Sequence, residues 1–361
     1  EYQSDSVPIL GADGSVLEEA ASVMAHAKNP VIWAGGGVNI ADASKELLRL
    51  AEYLQVPVMT TPEGKGSISD DHYLSLGTPQ GRSTGQSKDL LRDFFYESDV
   101  ILAVGTRFAT ANPRDSQRVI QIDVDPVEIG RNNNNTIGIV ADAKVGLTEL
   151  LDAIKPLVPA KNSREEEFDK IRATRYAWDN QVQPQASYVR ALRESIPADG
   201  ILVTDMTIMA YYSRAYYLTY NPRTYITSSY SGNLGSAFPT ALGVKVAQPD
   251  KAVISISGDG GFLFNSQELA TAVQFGINVV AVVFNDQSYG NVKRDMKELF
   301  NGKSLGVQLQ NPDFMKLADA YGVVGIKAET PEELSEAIRH ALTLNCPVLI
   351  EAPVGEMPSP F

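Results

Sequence analysis

The chain is poor in the residues that carry most self-contained catalytic chemistry. Its 361 residues include a single cysteine, Cys346, and only three histidines, His26, His72 and His340. One cysteine cannot form an internal disulfide, and its place between Asn345 and Pro347, beside an apolar strand, suits a buried structural thiol. His26 and His340 fall in helical patterns and His72 in the loop Ser69-Asp70-Asp71-His72. They share no metal-ligand spacing, and no Ser-His-Asp or Cys-His set is apparent. Chemistry must therefore come from a cofactor. No apolar run is long enough to span a bilayer, and the segment 1–14 has no basic, signal-like region. Positive charge is also short: the formal net charge is −13, which argues against nucleic acid or an anionic membrane as partner. A cytoplasmic setting is expected.

What is present is a pattern of buried strands and glycine turns. Ala252-Val253-Ile254-Ser255-Ile256 runs into Gly258-Asp259-Gly260, and Val279-Val280-Ala281-Val282-Val283-Phe284 runs into Asn285-Asp286. A spacer of 24 residues (261 to 284) separates the two elements. Both apolar runs read as parallel strands buried on two faces. The intervening helix is expected to bury Leu269, Ala272, Val273 and Phe275. Two oxygen ligands then stand at the carboxyl ends of strands in one sheet, where open α/β sheets bind ligands. A hard cation such as Mg²⁺ takes oxygen donors and commonly shares them with a phosphate. Gly260 and Gly261 leave backbone N–H groups free to approach that phosphate. The bland alternative is a Rossmann-type turn beside an unrelated Asn-Asp pair.

The wider pattern is that of an α/β protein with two doubly wound parallel-sheet, Rossmann-like domains. Residues 1–160 form the first, with strands at Pro30–Ala34, Val56–Thr60, Val100–Val104 and Arg118–Asp123. Residues 161–182 read as a partly helical linker, and 183–361 form the second domain. The segment 293–311 lacks apolar periodicity and reads as a loop with helical pieces, placed to serve as a lid. Most of the rings between Tyr211 and Tyr220 read as packing.

Gly-Asp-Gly, this spacer and Asn-Asp together resemble the cofactor motif of thiamine diphosphate-dependent enzymes. From about Pro8 to Ala352 the chain is similar to the central and diphosphate-binding domains of their acetolactate synthase and pyruvate decarboxylase branch. The central-domain likeness includes Gly64-Lys65-Gly66 and Ile122-Asp123-Val124-Asp125-Pro126. The resemblance implies that the side chains of Asp259 and Asp286 and the backbone carbonyl of Ser288 bind Mg²⁺. It implies that Gly258, Asp259, Gly260, Gly261, Asp286, Ser288, Tyr289, Gly290 and Asn291 hold thiamine diphosphate. It also implies that Leu234 wedges the cofactor into a bent conformation while the Gly232 carbonyl holds its amino group, a proximity device. Leu234 could instead be ordinary core beside a glycine turn.

Departures from particular members narrow the expected reaction. Decarboxylases of this branch place a glutamate six residues after the second metal ligand, where Val292 stands. Acetohydroxyacid synthases place a tryptophan nine residues after it, where Asp295 stands. Flavin-binding members follow Gly-x-Arg-Phe with an acidic pair. Here Gly105-Thr106-Arg107-Phe108 is kept but Ala109-Thr110 replaces the acidic pair, so FAD stays a possible second cofactor that only part of the motif supports. Three glycines at Gly35 to Gly37 are the only other nucleotide signal. The expectation is a thiamine diphosphate- and Mg²⁺-dependent carboligase or lyase acting on 2-oxo acids or acyloins. A simple 2-oxo acid decarboxylase and a noncatalytic cofactor-binding subunit are the alternatives. The family's N-terminal pyrimidine-binding domain, with its glutamate, is expected to be absent from this chain and supplied in cis or as a separate chain. Family active sites form between two chains, so a homodimer or tetramer is expected.

Overall fold

A computed structural model describes residues 11–79, 90–109, 111–179, 182–228 and 231–358. The chain divides into two compact units, Glu1–Arg175 and Tyr176–Phe361. Each is built on one six-stranded sheet in which every pairing is parallel. The two doubly wound α/β domains expected from the sequence are present.

The first sheet holds β1 (Val31–Ala34), β2 (Val58–Thr60), β3 (Ser75–Gly77), β4 (Val100–Val104), β5 (Arg118–Asp123) and β6 (Thr136–Val140). Their order, 3-2-1-4-5-6, is the Rossmann order. Central strands β1 and β4 are buried along their whole length, as sheets covered by helices on both faces require. The helix Gly14–His26 starts where Asp13 accepts from the Ser15 amide, and Ala143–Ile154 where Asp142 accepts from Lys144 and Val145. Such caps satisfy amides that have no intrahelical partner. The amides of Gly35 and Gly37 donate to the carbonyls of Val104 and Gly105, both at 2.9 Å. The glycine run after β1 is thus tied to the end of β4. Of the pair after Phe108, Thr110 lies outside the described residues.

Residues 161–182 contain the helix Glu165–Asp179, within which the boundary between the units falls. Phe168 on this helix is buried in the first core. Arg172 and Arg175 donate to the carbonyls of Asp70, Leu76 and Thr78. His72 stacks on Tyr73, with ring centres 4.6 Å apart, and pairs with Glu52.

The second sheet holds β7 (Ile201–Thr204), β8 (Tyr225–Thr227), β9 (Val253–Gly258), β10 (Val280–Asn285), β11 (Val324–Lys327) and β12 (Val348–Pro353), in the order 11-12-10-9-7-8. Alternation along the strands feeds two separate cores. Ile254, Ile256, Val280 and Val282 join one cluster, while Val253, Ala281, Val283 and Leu349 join the other on the opposite face. The chain runs from β7 out to β8, then crosses to β9 on the other side of β7. The strand order therefore reverses between β7 and β9, the place where such sheets open a crevice at their carboxyl ends.

One expectation needs correction here. A short helix, Asp259–Leu263, follows Gly258, and the later helix that carries the expected residues spans only Leu269–Gln274 and buries Leu269 and Ala272 alone. Val273 and Phe275 are exposed, because so short a helix offers one i, i+3 face and Phe275 lies beyond its end. The segment 293–311, read as a loop with helical pieces, has one helical piece at its start, in Gly290–Leu299, and no further helix up to residue 311. That helix buries none of its residues. Among the described residues, no helix is long and apolar enough to cross a membrane.

Candidate active site

The carboxyl ends of β7, β9 and β10 open into one pocket of about 260 Å³. Gly258, Asp259, Gly260 and Gly261 line it from the end of β9, and Asp286 with Ser288 from the end of β10. Tyr289, Gly290 and Asn291 continue that wall into the helix, and Gly232 and Leu234 close it from the loop before helix Ala237–Ala247. Every residue singled out in the sequence for the cofactor or the metal is brought together here.

The glycines have steric reasons. A Cβ on Gly260 would lie 2.5 Å from Tyr289 Cε1, so the ring packs directly on that backbone. A Cβ on Gly290 would lie 2.5 Å from Asp286 Oδ2. The sequence Asp286 to Gly290 can fold back on itself because that position is bare. Gln287 takes the left-handed conformation at φ 56°, and the Ser288 amide donates to Asp286 Oδ1 at 3.1 Å.

The electrostatics are those of two carboxylates, one buried and one partly buried, close enough to repel. Asp259 is buried, and burial pushes its carboxyl above the usual range against the pull of the Asn311 hydrogen bond. Asp286 is pushed up to about 6, first by burial and then by the negative charge of Asp259. Such a pair is unfavourable alone and well suited to a bound cation.

Asn311, Glu351 and Asp205 support the site but carried no signal in the sequence. Asn311 Nδ2 donates to Asp259 Oδ2 at 2.6 Å and to Asn285 Oδ1 at 2.9 Å. Asn285 in turn donates to Glu351 Oε1 at 2.8 Å. The Asn311 Oδ1 atom is buried with no hydrogen-bond partner, an idle acceptor beside the carboxylates. Asp205, at the end of β7, is fully buried and accepts from the amides of Met206 at 2.7 Å and Gly235 at 2.9 Å. It thereby pins the loop that carries Leu234. Leu234 itself is 38% exposed on the pocket wall, so it is not core. These partners come from segments far apart in sequence, which is why spacing did not reveal them.

Residues 205–352 match the thiamine pyrophosphate enzyme C-terminal TPP-binding domain, and residues 17–150 match the central domain of the same enzymes. The chain is built from the central and C-terminal domains of a thiamine pyrophosphate enzyme. (Thiamine pyrophosphate and thiamine diphosphate are the same compound.) It is similar to the probable acetolactate synthase large subunit of Methanocaldococcus jannaschii, 37% identical over 353 residues, covering 93% of this chain and 59% of that protein. The corresponding protein of Methanococcus aeolicus is 34% identical over 361 residues, with the same coverage. An acetolactate synthase of Mycobacterium bovis is 32% identical over 359 residues, covering 94% of this chain and 57% of that protein. The chain thus spans less than two thirds of the length of these curated relatives.

In this thiamine pyrophosphate enzyme, the donor set suits a hard divalent cation. Among the described residues there is no cluster of three or more His, Cys, Asp or Glu side chains that could hold a metal. Two carboxylates are available, so the remaining donors must be neutral oxygens, water or the ligand. That is the way Mg²⁺ is usually held, by one or two carboxylates and a phosphate. The idle Asn311 Oδ1 suits a metal-bound water. One of the two positions that distinguish members of the family is on the pocket wall. Val292 lines the pocket and is 49% exposed, and Asp295 pairs with Arg294 at 3.1 Å.

Proposed function

We propose that this chain forms the diphosphate- and metal-holding part of a carboligase or lyase acting on 2-oxo acids or acyloins, in the manner of acetolactate synthase. The observation that carries the proposal is the meeting of Asp259 and Asp286 with Gly232 and Leu234 around one pocket at a sheet's switch point. Asp259, Asp286 and the Ser288 carbonyl would hold Mg²⁺. The backbone from Gly258 to Gly261, with Tyr289, Gly290 and Asn291, would surround the diphosphate. Thiamine diphosphate, when bound, supplies an electron sink for the bond that breaks next to a carbonyl.

The chain's own residues do the positioning. Leu234 would fill the space under the cofactor and keep it bent, and the Gly232 carbonyl would accept from its amino group. Asp205 keeps that loop in register with β7. Val292 offers only hydrocarbon where a proton-transferring glutamate would favour aldehyde release, which supports joining of two carbonyl compounds over simple decarboxylation. No glutamate is among the residues lining the pocket. The group that protonates the pyrimidine ring would come from a pyrimidine-binding domain, in cis or from a partner chain.

Calorimetry on Asp259→Ala tests the site. Loss of outer partners of a metal ligand alone costs about 10–100-fold in affinity. Removal of a direct, charged ligand should weaken thiamine diphosphate binding in the presence of Mg²⁺ by at least as much. Unchanged cofactor affinity would overturn the assignment.

A further inference from the structure

Helix Ile208–Tyr216 begins at the pocket, where Thr207, Ile208 and Met209 form part of the wall, and Tyr211 lines it one turn later. Arg214 follows Tyr211 by three residues and so shares its face. Helical side chains lean toward the N-terminus, and Arg214 reaches back along the helix. Its guanidinium carbon lies 5.1 Å from the centre of the Tyr211 ring. Its Nη2 touches Met206 Sδ at 2.9 Å and Thr227 Oγ1 at 3.2 Å. Met206 also stands next to Gly232, where an added Cβ would lie 3.4 Å from Met206 Cε. One flexible thioether therefore separates a guanidinium from the end of the pocket that holds Gly232 and Leu234.

The groups around Arg214 are poor partners for a cation. A thioether is a weak acceptor and a hydroxyl is neutral, and the Arg214 Nε atom is buried with no hydrogen-bond partner. Arg294, the other arginine near Tyr211, is neutralised by Asp295 at 3.1 Å and Glu298 at 3.9 Å. No such ion pair holds Arg214 among the described residues. In a chain of net charge −13, a guanidinium left with a thioether and a hydroxyl is positioned for an anion from outside.

We propose that Arg214 is the residue that selects an anionic substrate, by taking the carboxylate of a 2-oxo acid that enters the pocket beside Tyr211. The planar guanidinium matches a carboxylate with two parallel N–H···O bonds. Met206 can yield because its unbranched side chain adapts readily. A neutral aldehyde or acyloin leaves this contact unmade, so Arg214 sets the preference between acids and neutral donors. The inference rests on the proposed function and adds its specificity determinant.

The test is steady-state kinetics of the holoenzyme, with thiamine diphosphate and Mg²⁺ bound, on pyruvate and on acetaldehyde as a neutral donor. Arg214→Gln removes the charge, while Arg214→Lys keeps it and loses the fork. The expected result is a KM for pyruvate raised about 10–100-fold in Arg214→Gln, the range for a hydrogen bond to a charged group. The KM for acetaldehyde and the calorimetric affinity for thiamine diphosphate stay unchanged, and Arg214→Lys recovers part of the loss. Should Arg214→Gln fail to fold, Arg214→Lys must still shift the pyruvate-to-acetaldehyde KM ratio in the same direction. An equal rise for both donors, or none for pyruvate, overturns the role of Arg214. A wild-type holoenzyme inert toward 2-oxo acids overturns the proposed function as well, and that is read before any variant is made.

Discussion

Replacing Leu234 with Ala separates orientation from anchoring. Its side chain is 38% exposed on the pocket wall, so roughly three fifths of its surface is buried. Full burial of a leucine contributes about 1.5–3 kcal/mol, which puts the stability cost of the variant at about 1–2 kcal/mol. Leu242, 5% exposed on helix Ala237–Ala247 of the same unit, is the matched control. Its replacement by Ala should cost about 2–5 kcal/mol, as for a core leucine. Diphosphate affinity should hold in Leu234→Ala, because Asp259, Asp286 and the glycine turn are untouched. Hydrogen–deuterium exchange at the cofactor's reactive carbon should nevertheless slow by about 100-fold, the penalty typical of a small misplacement of reacting groups. Urea denaturation, calorimetry and quenched exchange monitored by NMR give the three numbers. Equal exchange rates in wild type and variant, or a stability loss matching that of Leu242→Ala, would return Leu234 to the role of a packing residue.

Two more predictions concern the metal end. Asp286 is raised to about 6 in the fold, above the ordinary carboxylate value of about 3.9, so the metal-free folded state binds the proton more tightly than the unfolded chain. Its stability should therefore fall as pH rises from about 4 to about 6, and bound Mg²⁺ should offset that loss. Melting curves should accordingly show EDTA lowering Tm of the Mg²⁺-loaded protein more at pH 7.5 than at pH 5, and an equal effect at both would contradict the shift. Gly260→Ala should cost about 1–3 kcal/mol, because its Cβ would meet Tyr289 at 2.5 Å. It should also displace the ring from the diphosphate wall. Chemical denaturation checks the first effect and cofactor titration the second, and wild-type values for both would show that the ring moves freely.

Legibility in the sequence followed burial. Strands β4 and β5 stand within the ranges read from their apolar runs, because they lie inside a sheet covered on both faces. Strands β3, β6 and β8 went unread, and all three are sheet edges. Ser75–Gly77 and Tyr225–Thr227 are only three residues long, and Thr136–Val140 alternates between buried and partly exposed positions. An edge strand needs no continuous apolar run, so it leaves little trace. At the pocket, Asp259 and Asp286 were readable since a strand end fixes each of them and the spacer fixes their separation. Asn311 and Arg214 were not, because each reaches its partner through a tertiary fold-back that neither helical nor strand periodicity encodes.

Asp259 and Asp286 follow the ends of neighbouring strands whose register is set by the backbone ladder, Phe284 opposite Gly258, about 4.8 Å apart. The gap between the two acids is thus a dimension of the sheet and does not wait for a ligand to define it. Tyr211 and Val292 line the same pocket from two helices, Ile208–Tyr216 and Gly290–Leu299, that lie outside that ladder. The two acids sit on a rigid frame, and the helix residues around them do not. On the proposed function, libraries confined to Tyr211 and Val292 should change which molecules are accepted while cofactor affinity stays the same.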